Sequence, residues 1–236
     1  MRAFLALAGI FLLSSCATSD NKVDPYESYN RKIYDFNRSI DKAVLQPVAK
    51  GYKAITPDPV ETGISNFFSN LDDFGVMINN ILQAKFIDAS SDLGRILVNS
   101  TLGLAGLFDP ASAMGLEKHD EDFGQTLGAW GVEPGPYLML PFLGPSTLRD
   151  FSGEPVDNYL DPLKEIDKDS TEYQLKGLRL LDQRADLLSL EEQIENAIDE
   201  YSFVRDAFLQ NRKYKVYDGD LPFEDDFECD PEYEEC

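Results

Sequence analysis

A chain of 236 residues is long enough for one domain with a sizeable core, and its 43 acidic against 21 basic residues give a formal charge of −22. Such a surface repels nucleic acid and anionic lipid headgroups, which argues against nucleic-acid binding. Any attraction to a membrane has to come from apolar surface or attached acyl chains.

Residues 1–15 read as a lipoprotein signal peptide. Arg2 is the positive start, Ala3 to Leu13 the apolar stretch, and Leu13-Ser14-Ser15-Cys16 the lipobox, where the cysteine thiol takes a diacylglycerol and becomes the new N-terminus. A plain secretory signal with an unrelated cysteine is the alternative. Ala17, rather than Asp, follows Cys16, which directs the expectation to the outer membrane. The leader is too short to span a bilayer, and no run of eighteen apolar residues follows it, so no transmembrane helix is expected. Residues 16–23 are a polar, lipidated tether.

Residues 24–215 form the expected helical body. Asp24-Pro25 with Glu27 is a helix start, followed by an aromatic-rich stripe of Tyr26, Tyr29, Ile33, Phe36 and Ile40. Pro47 and Pro57 bracket the region between the first helix and the second. The same start signal recurs at Asp58-Pro59 with Glu61, and Val60, Ile64, Phe67, Leu71, Phe74, Ile78 and Ile81 make a seam over six turns. A third helix starts near Asp88, carries Leu93, Ile96 and Leu97, and runs into Leu102 to Phe108, which has no polar side chain. Between Glu133 and Arg149 the chain is uncharged yet broken by four prolines and two glycines, so it needs cover from core or lipid. Leu175, Leu178, Leu181 and Leu188 mark another helix. Ser189 with Glu192 opens a last one, striped by Ile194, Ile198, Tyr201, Val204 and Phe208. Alternating strand patterns are absent, so the fold class is all-α. Apolar stripes on such helices fit an ordinary core or, on a lipidated chain, faces lying in the membrane plane.

The tail, residues 216–236, holds ten acids and no base between Asp218 and Cys236. Cys229 and Cys236 can close a small disulfide loop there in an oxidising compartment; two free thiols are the alternative. No catalytic, metal or cofactor motif appears. His119, the only histidine, sits in a charged string that reads as solvated. Ser146 lies in Gly-Pro-Ser-Thr rather than a nucleophile turn. A phospholipid-cleaving enzyme therefore lacks its nucleophile and base. A structural envelope lipoprotein that tethers partners through its acidic tail remains a competing reading.

Several strings are long and unusual: Asp24-Pro25 through Tyr34-Asp35-Phe36-Asn37, Pro47-Val48-Ala49, Gly63-Ile-Ser-Asn-Phe67, Phe123-Gly-x-Thr-Leu-Gly-x-Trp-Gly-Val132, Gly135-Pro-Tyr-Leu-x-Leu-Pro141 and Gly144-Pro-Ser-Thr-Leu-Arg-Asp150. In collinear order over residues 24–215 they resemble the MlaA (VacJ) family of outer-membrane lipoproteins. The resemblance implies a single ring-shaped domain of amphipathic helices in the periplasmic leaflet, around a central channel. It implies removal of mislocalised phospholipid from the outer leaflet, handed to a periplasmic lipid-binding carrier, with a trimeric porin as partner. Cys16 would be the acylated anchor. Tyr34, Asp35, Phe36 and Asn37 match a motif whose disturbance misdirects lipid flow, and Gly131 and Gly135 match glycines of a mobile hairpin beside the channel. Glu133 departs from the family pattern, and the acidic tail has no counterpart in it.

Overall fold

The computed structural model describes residues 23–166 and 169–221. The leader, Cys16, Cys229 and Cys236 lie outside the described residues. Within them the chain forms α1 (Glu27–Ile40), a π-helical turn (Asp41–Leu45), α2 (Gln46–Ile55), α3 (Asp58–Leu82), α4 (Phe86–Thr101), α5 (Pro110–Ala113) and α6 (Phe123–Ala129). A two-stranded hairpin of β1 (Tyr137–Leu140) and β2 (Gly144–Thr147) follows. Then come α7 (Leu148–Leu160), α8 (Asp169–Asp186), α9 (Glu191–Glu195) and α10 (Glu200–Val216). The domain is all-α apart from that hairpin.

Four local features depart from the sequence reading. Pro47 does not end the first helix. A proline ring presses on the carbonyl four residues back, here Ala43, and the wider π turn at 41–45 accommodates it, so the chain stays helical into α2. Asp24 does not cap α1; it is fully buried and bonds inward. The last helix starts at Asp199, whose carboxylate accepts the Tyr201 and Ser202 N–H groups, while the Ser189 hydroxyl donates to the Asp186 carbonyl. The broken stretch 123–149 contains α6, capped by Asp122, and the hairpin, in antiparallel register Tyr137 to Thr147 and Leu140 to Gly144. Gly144 at φ +86° and Phe142 at +64° make its tight turn.

Packing closes a circuit. α1 lies on β1, β2 on α10, α10 on α6, α6 on α3, α3 on α8 and α8 on α2, which runs back into α1. The make-up of the buried set is unusual. Among the described residues, seventeen buried side chains are polar or charged against ten apolar ones, the reverse of a water-soluble core.

The inversion is clearest on the longest helices. α4 buries Ala89, Asp92, Arg95 and Asn99 on one face and exposes Phe86, Leu93 and Leu97 on the other. α3 buries Phe68, Asp73, Val76, Asn79 and Asn80, so the seam seen in the sequence is the opposite face, with Val60, Phe74 and Ile81 exposed and the rest half-buried. The inward polar side chains here each make at least one hydrogen bond. Arg95 donates to Ser112 Oγ (3.0 Å), the Leu116 carbonyl (2.9 Å) and Asp109 (3.0 Å), while Asn99 donates to Asp109 (2.9 Å) and accepts the Ala111 N–H. Asn80 donates to Asp92 at 2.7 Å. Burial would raise the Asp109 carboxyl, but hydrogen bonds from Ser112, Asn99 and Arg95 outweigh it and hold the group well below the usual carboxylate range. His119 belongs to this network too, contrary to the solvated reading: Nδ1 sits 2.8 Å from Asp92 and the ring is largely covered.

Candidate lipid-handling site

Three parts of the molecule bear on lipid. The first is the outer surface. Leu102, Leu104, Leu107 and Phe108 are exposed in the loop after α4, beside the outward faces of α3 and α4. Leu104 and Ala105 there hold left-handed backbone (φ +53° and +59°), followed by Gly106 at +90°, and L-residues resist that region. The loop is kept in this shape by backbone bonds onto the end of α4, such as Gly106 N–H to the Asn99 carbonyl at 2.8 Å, so the greasy side chains are held outward. Left in water, each large apolar side chain forgoes about 1.5–3 kcal/mol of burial. Large apolar side chains held outward together on one loop mark a membrane or protein contact.

The second part is a clamp on the hairpin. β1 has one edge paired to β2; the other faces α1. Asn30 Nδ2 donates to the Tyr137 carbonyl (3.1 Å) and Asn30 Oδ1 accepts the Met139 N–H (2.9 Å). Two helical turns on, Asn37 Nδ2 donates to the Leu140 carbonyl and Oδ1 accepts the Phe142 N–H, both at 2.9 Å. A carboxamide presents the same donor and acceptor as a peptide group, so the two asparagines act as a substitute third strand. Asn30 Nδ2 also donates to Asp24 at 2.8 Å, and Asp24 in turn accepts from the Tyr201 hydroxyl and pairs with Arg205. Tyr137, Met139 and Tyr201 form the small apolar cluster beneath.

The sequence motif thus divides by role. Phe36 stacks edge-on against Phe142 at 5.3 Å and Asn37 holds the same turn. Tyr34 points inward, donating to Glu200 and packing on Tyr201, and Asp35 is exposed. Gly131 and Gly135 lie in the loop 130–136 that leads into β1 rather than in the hairpin itself, at φ +87° and +65°. An ideal Cβ at Gly131 meets nothing within 4 Å, whereas one at Gly135 comes 3.2 Å from Leu148 Cβ. Sequence reading missed Asn30, although its spacing of seven from Asn37 was a usable signal.

The third part is a hollow of about 320 Å³ between α3, residues 120–122, α7 and Arg179 of α8, lined by seven carboxylates and that one guanidinium. Burial, with the charges of Asp122 and Glu154 adding to it, raises Asp157 to about 6, against hydrogen bonds that work the other way. Between an ordinary value near 4 and about 6, the folded chain keeps a proton that the unfolded chain has released, so this group's contribution to stability falls as pH rises through that window. Asp157 Oδ1 accepts both the Phe123 N–H (2.9 Å) and Asn79 Nδ2 (3.4 Å), an arrangement that an asparagine carbonyl preserves. Asp157→Asn should therefore stabilise the protein by about 1–2 kcal/mol at pH 8, a rise of a few degrees in Tm, and change little at pH 4. Thermal melts at the two pH values check it; equal shifts at both would mean the charge is not the cause.

No helix among the described residues is long and apolar enough to cross a membrane, and none of their His, Cys, Asp and Glu groups is arranged to hold a metal ion. Ser146 is buried and donates to the Thr147 carbonyl. The domain is helical, hides carboxamides and carboxylates and turns leucine and phenylalanine outward, a surface suited to contact with a membrane or a protein partner.

The chain belongs to the MlaA lipoprotein family, whose pattern matches residues 22–215. It is 33% identical to the intermembrane phospholipid transport system lipoprotein MlaA of Escherichia coli, over 90% of this chain and 88% of that one. The protein of the same name from Haemophilus influenzae is also 33% identical, over 92% and 90% of the two chains. An uncharacterized Rickettsia conorii protein, RC0123, is 35% identical over 87% and 81%. A solved structure described as the structural basis for maintenance of bacterial outer membrane lipid asymmetry superposes with a TM-score of 0.73 and 34% identity, covering 82% of this chain and 98% of the other.

Proposed function

We propose that the chain is an outer-membrane lipoprotein that removes mislocalised phospholipid from the outer leaflet and passes it to a periplasmic lipid-binding carrier, so maintaining lipid asymmetry. The observation that carries this reading is the inversion of α3 and α4, whose polar faces turn inward and whose apolar faces turn out. Water gives no reason for that arrangement, and a leaflet does. Family membership supports the cargo, since the named relatives are phospholipid transport lipoproteins.

The circuit of packed helices would sit at the depth of the periplasmic leaflet, anchored by acyl chains on Cys16 and by its greasy outer face. A diacylglycerol carries two acyl chains, enough for stable anchoring, and the apolar face would set how deep the domain sits. A headgroup carried through hydrocarbon would cost several kcal/mol, which a polar interior avoids. Transport of this kind breaks no bond and needs no catalytic residue. Tyr34, Asp35, Phe36 and Asn37, through the clamp, and Gly131 and Gly135, through the 130–136 loop, would set the opening beside the passage. A trimeric porin would cover part of the outer face.

Deleting the gene should place phospholipid in the outer leaflet and sensitise cells to detergent. The intact chain should restore asymmetry in such cells, and Cys16→Ser should restore less. Unchanged outer-leaflet composition in the deletion strain would overturn the proposal.

A further inference from the structure

A slot of about 210 Å³ lies where the β1–β2 hairpin, α1, the end of α8, the 3₁₀ turn Leu187–Leu190, α9 and α10 meet. Its apolar wall is Met139 and Pro145 of the hairpin, Leu187 and Leu190 of the turn, Ile194 of α9 and Val204 of α10. Protein interiors hold few voids larger than a water molecule, and an apolar void of about 150 Å³ already stays dry and takes an apolar guest.

Polar residues line the slot too, but their heads are turned to partners in the protein. Arg184 forks onto Asp41, Nε to Oδ1 and Nη2 to Oδ2 at 2.7 Å each, and Nη2 reaches Glu191 at 2.7 Å. Arg38 pairs with Glu191 and donates to Glu200 at 3.1 Å, with its Nη2 3.6 Å from Glu195. The Tyr34 hydroxyl bonds Glu200, and both ends of the Asn37 carboxamide bond the hairpin. Side chains so engaged show the slot their carbon stems. In this network Arg38, Arg184 and Lys42 are outnumbered by Asp41, Glu191, Glu195 and Glu200, so no positive charge is left over for a phosphate.

This lining selects its guest. A headgroup or a peptide would leave hydrogen-bonding groups unmatched there, and water would lack the polar partners that hold it in a cavity. A hydrocarbon chain brings no such groups. Its approach is apolar as well, since Leu187 and Leu190 are 51% and 44% exposed, and Phe142 and Leu143 stand exposed beside Gly144, which also lines the slot.

We propose that this slot seats one acyl chain of the phospholipid being carried, with the headgroup left outside. The inference rests on the transport reading and gives the cargo's tail a seat against the hairpin.

The full-length lipoprotein would be placed in vesicles of phosphatidylethanolamine and phosphatidylglycerol. These would be doped with phosphatidylethanolamine carrying a photoreactive diazirine either midway along one acyl chain or on the headgroup, and crosslinked peptides would be read by mass spectrometry. The acyl probe should mark the hairpin and residues 187–204, and the headgroup probe should leave them unmarked. Val204→Phe, which fills the slot, and Leu190→Glu, which charges its rim, should each cut those crosslinks about tenfold or more, with parental helical content by circular dichroism. Leu190→Met should match the parent. Absence of slot crosslinks, equal marking by the headgroup probe, or crosslinks that survive both variants would each overturn the proposal. Expressing the variants in cells separates the two readings. Normal lipid asymmetry with Val204→Phe, its slot crosslinks lost, removes the slot from the route while transport stands, whereas normal asymmetry without the gene removes transport itself.

Discussion

Asn30→Leu should unseat the β1–β2 hairpin and cost the fold about 3–5 kcal/mol, a large fraction of a typical total of about 5–15 kcal/mol. Asn30 is 0% exposed, so no water replaces what its carboxamide provides. The substitution strands the Tyr137 carbonyl and the Met139 N–H, each a buried polar group costing about 1–3 kcal/mol unpaired, and removes the Asn30 bond to Asp24. Asn30→Asp is no remedy. A carboxylate accepts from Met139 but donates nothing to Tyr137, and it stands against Asp24. Asn37→Ala should be milder, about 1 kcal/mol, because its site is part-exposed and water can enter. Its effect should concentrate at the turn, where Phe142 loses the bond that holds its left-handed backbone. Denaturant unfolding gives the totals, and hydrogen exchange at the Met139 and Phe142 amides separates the two. Wild-type protection at Met139 in Asn30→Leu would remove the clamp.

This clamp also marks where the sequence stopped being readable. The helices α1, α3 and α4 were legible from their periodicity, because a stripe repeating every three to four residues has one physical reading. Which way the stripe faces was not. Periodicity separates two faces of a helix without naming the solvent outside it, so the seam from Val60 to Ile81 fitted a core as well as it fitted lipid. Asn30 escaped notice because a lone asparagine between aromatics gives no sign that its partner is a strand edge 107 residues on. The break between α9 and α10 was hidden by Ile194 and Ile198, which kept the apolar spacing while Asp199 supplied the actual cap. Gly131 and Gly135 stood out only through the family resemblance; that both hold positive φ, and that they lie in the loop before β1, depends on how α6 and α7 pack.

The facing of α4 is open to a direct trial with an unusual sign. Leu93→Asp with Leu97→Asp puts two charges on positions that are 46% and 58% exposed. On a protein surrounded by water, such changes lie within about 0.5 kcal/mol of neutral apart from a modest loss of helix propensity. In hydrocarbon, an aspartate costs about 2.5–3.5 kcal/mol, so the pair should lower partitioning into phospholipid vesicles by about 10³-fold or more. Far-ultraviolet circular dichroism should still show the helical content of the parent. Asp92→Leu is the opposite trial, made one residue away on the same helix. For an ordinary amphipathic helix it would be a charge lost from the wet side. Here it strands Asn80 Nδ2 and the His119 ring, and should cost about 2–4 kcal/mol while leaving vesicle binding untouched. Adding apolar character inside should thus unfold the protein, and adding charge outside should only detach it. If the double aspartate variant binds vesicles as tightly as the parent, the outward leucines face something other than lipid, and the immersion of α4 in a leaflet goes with them.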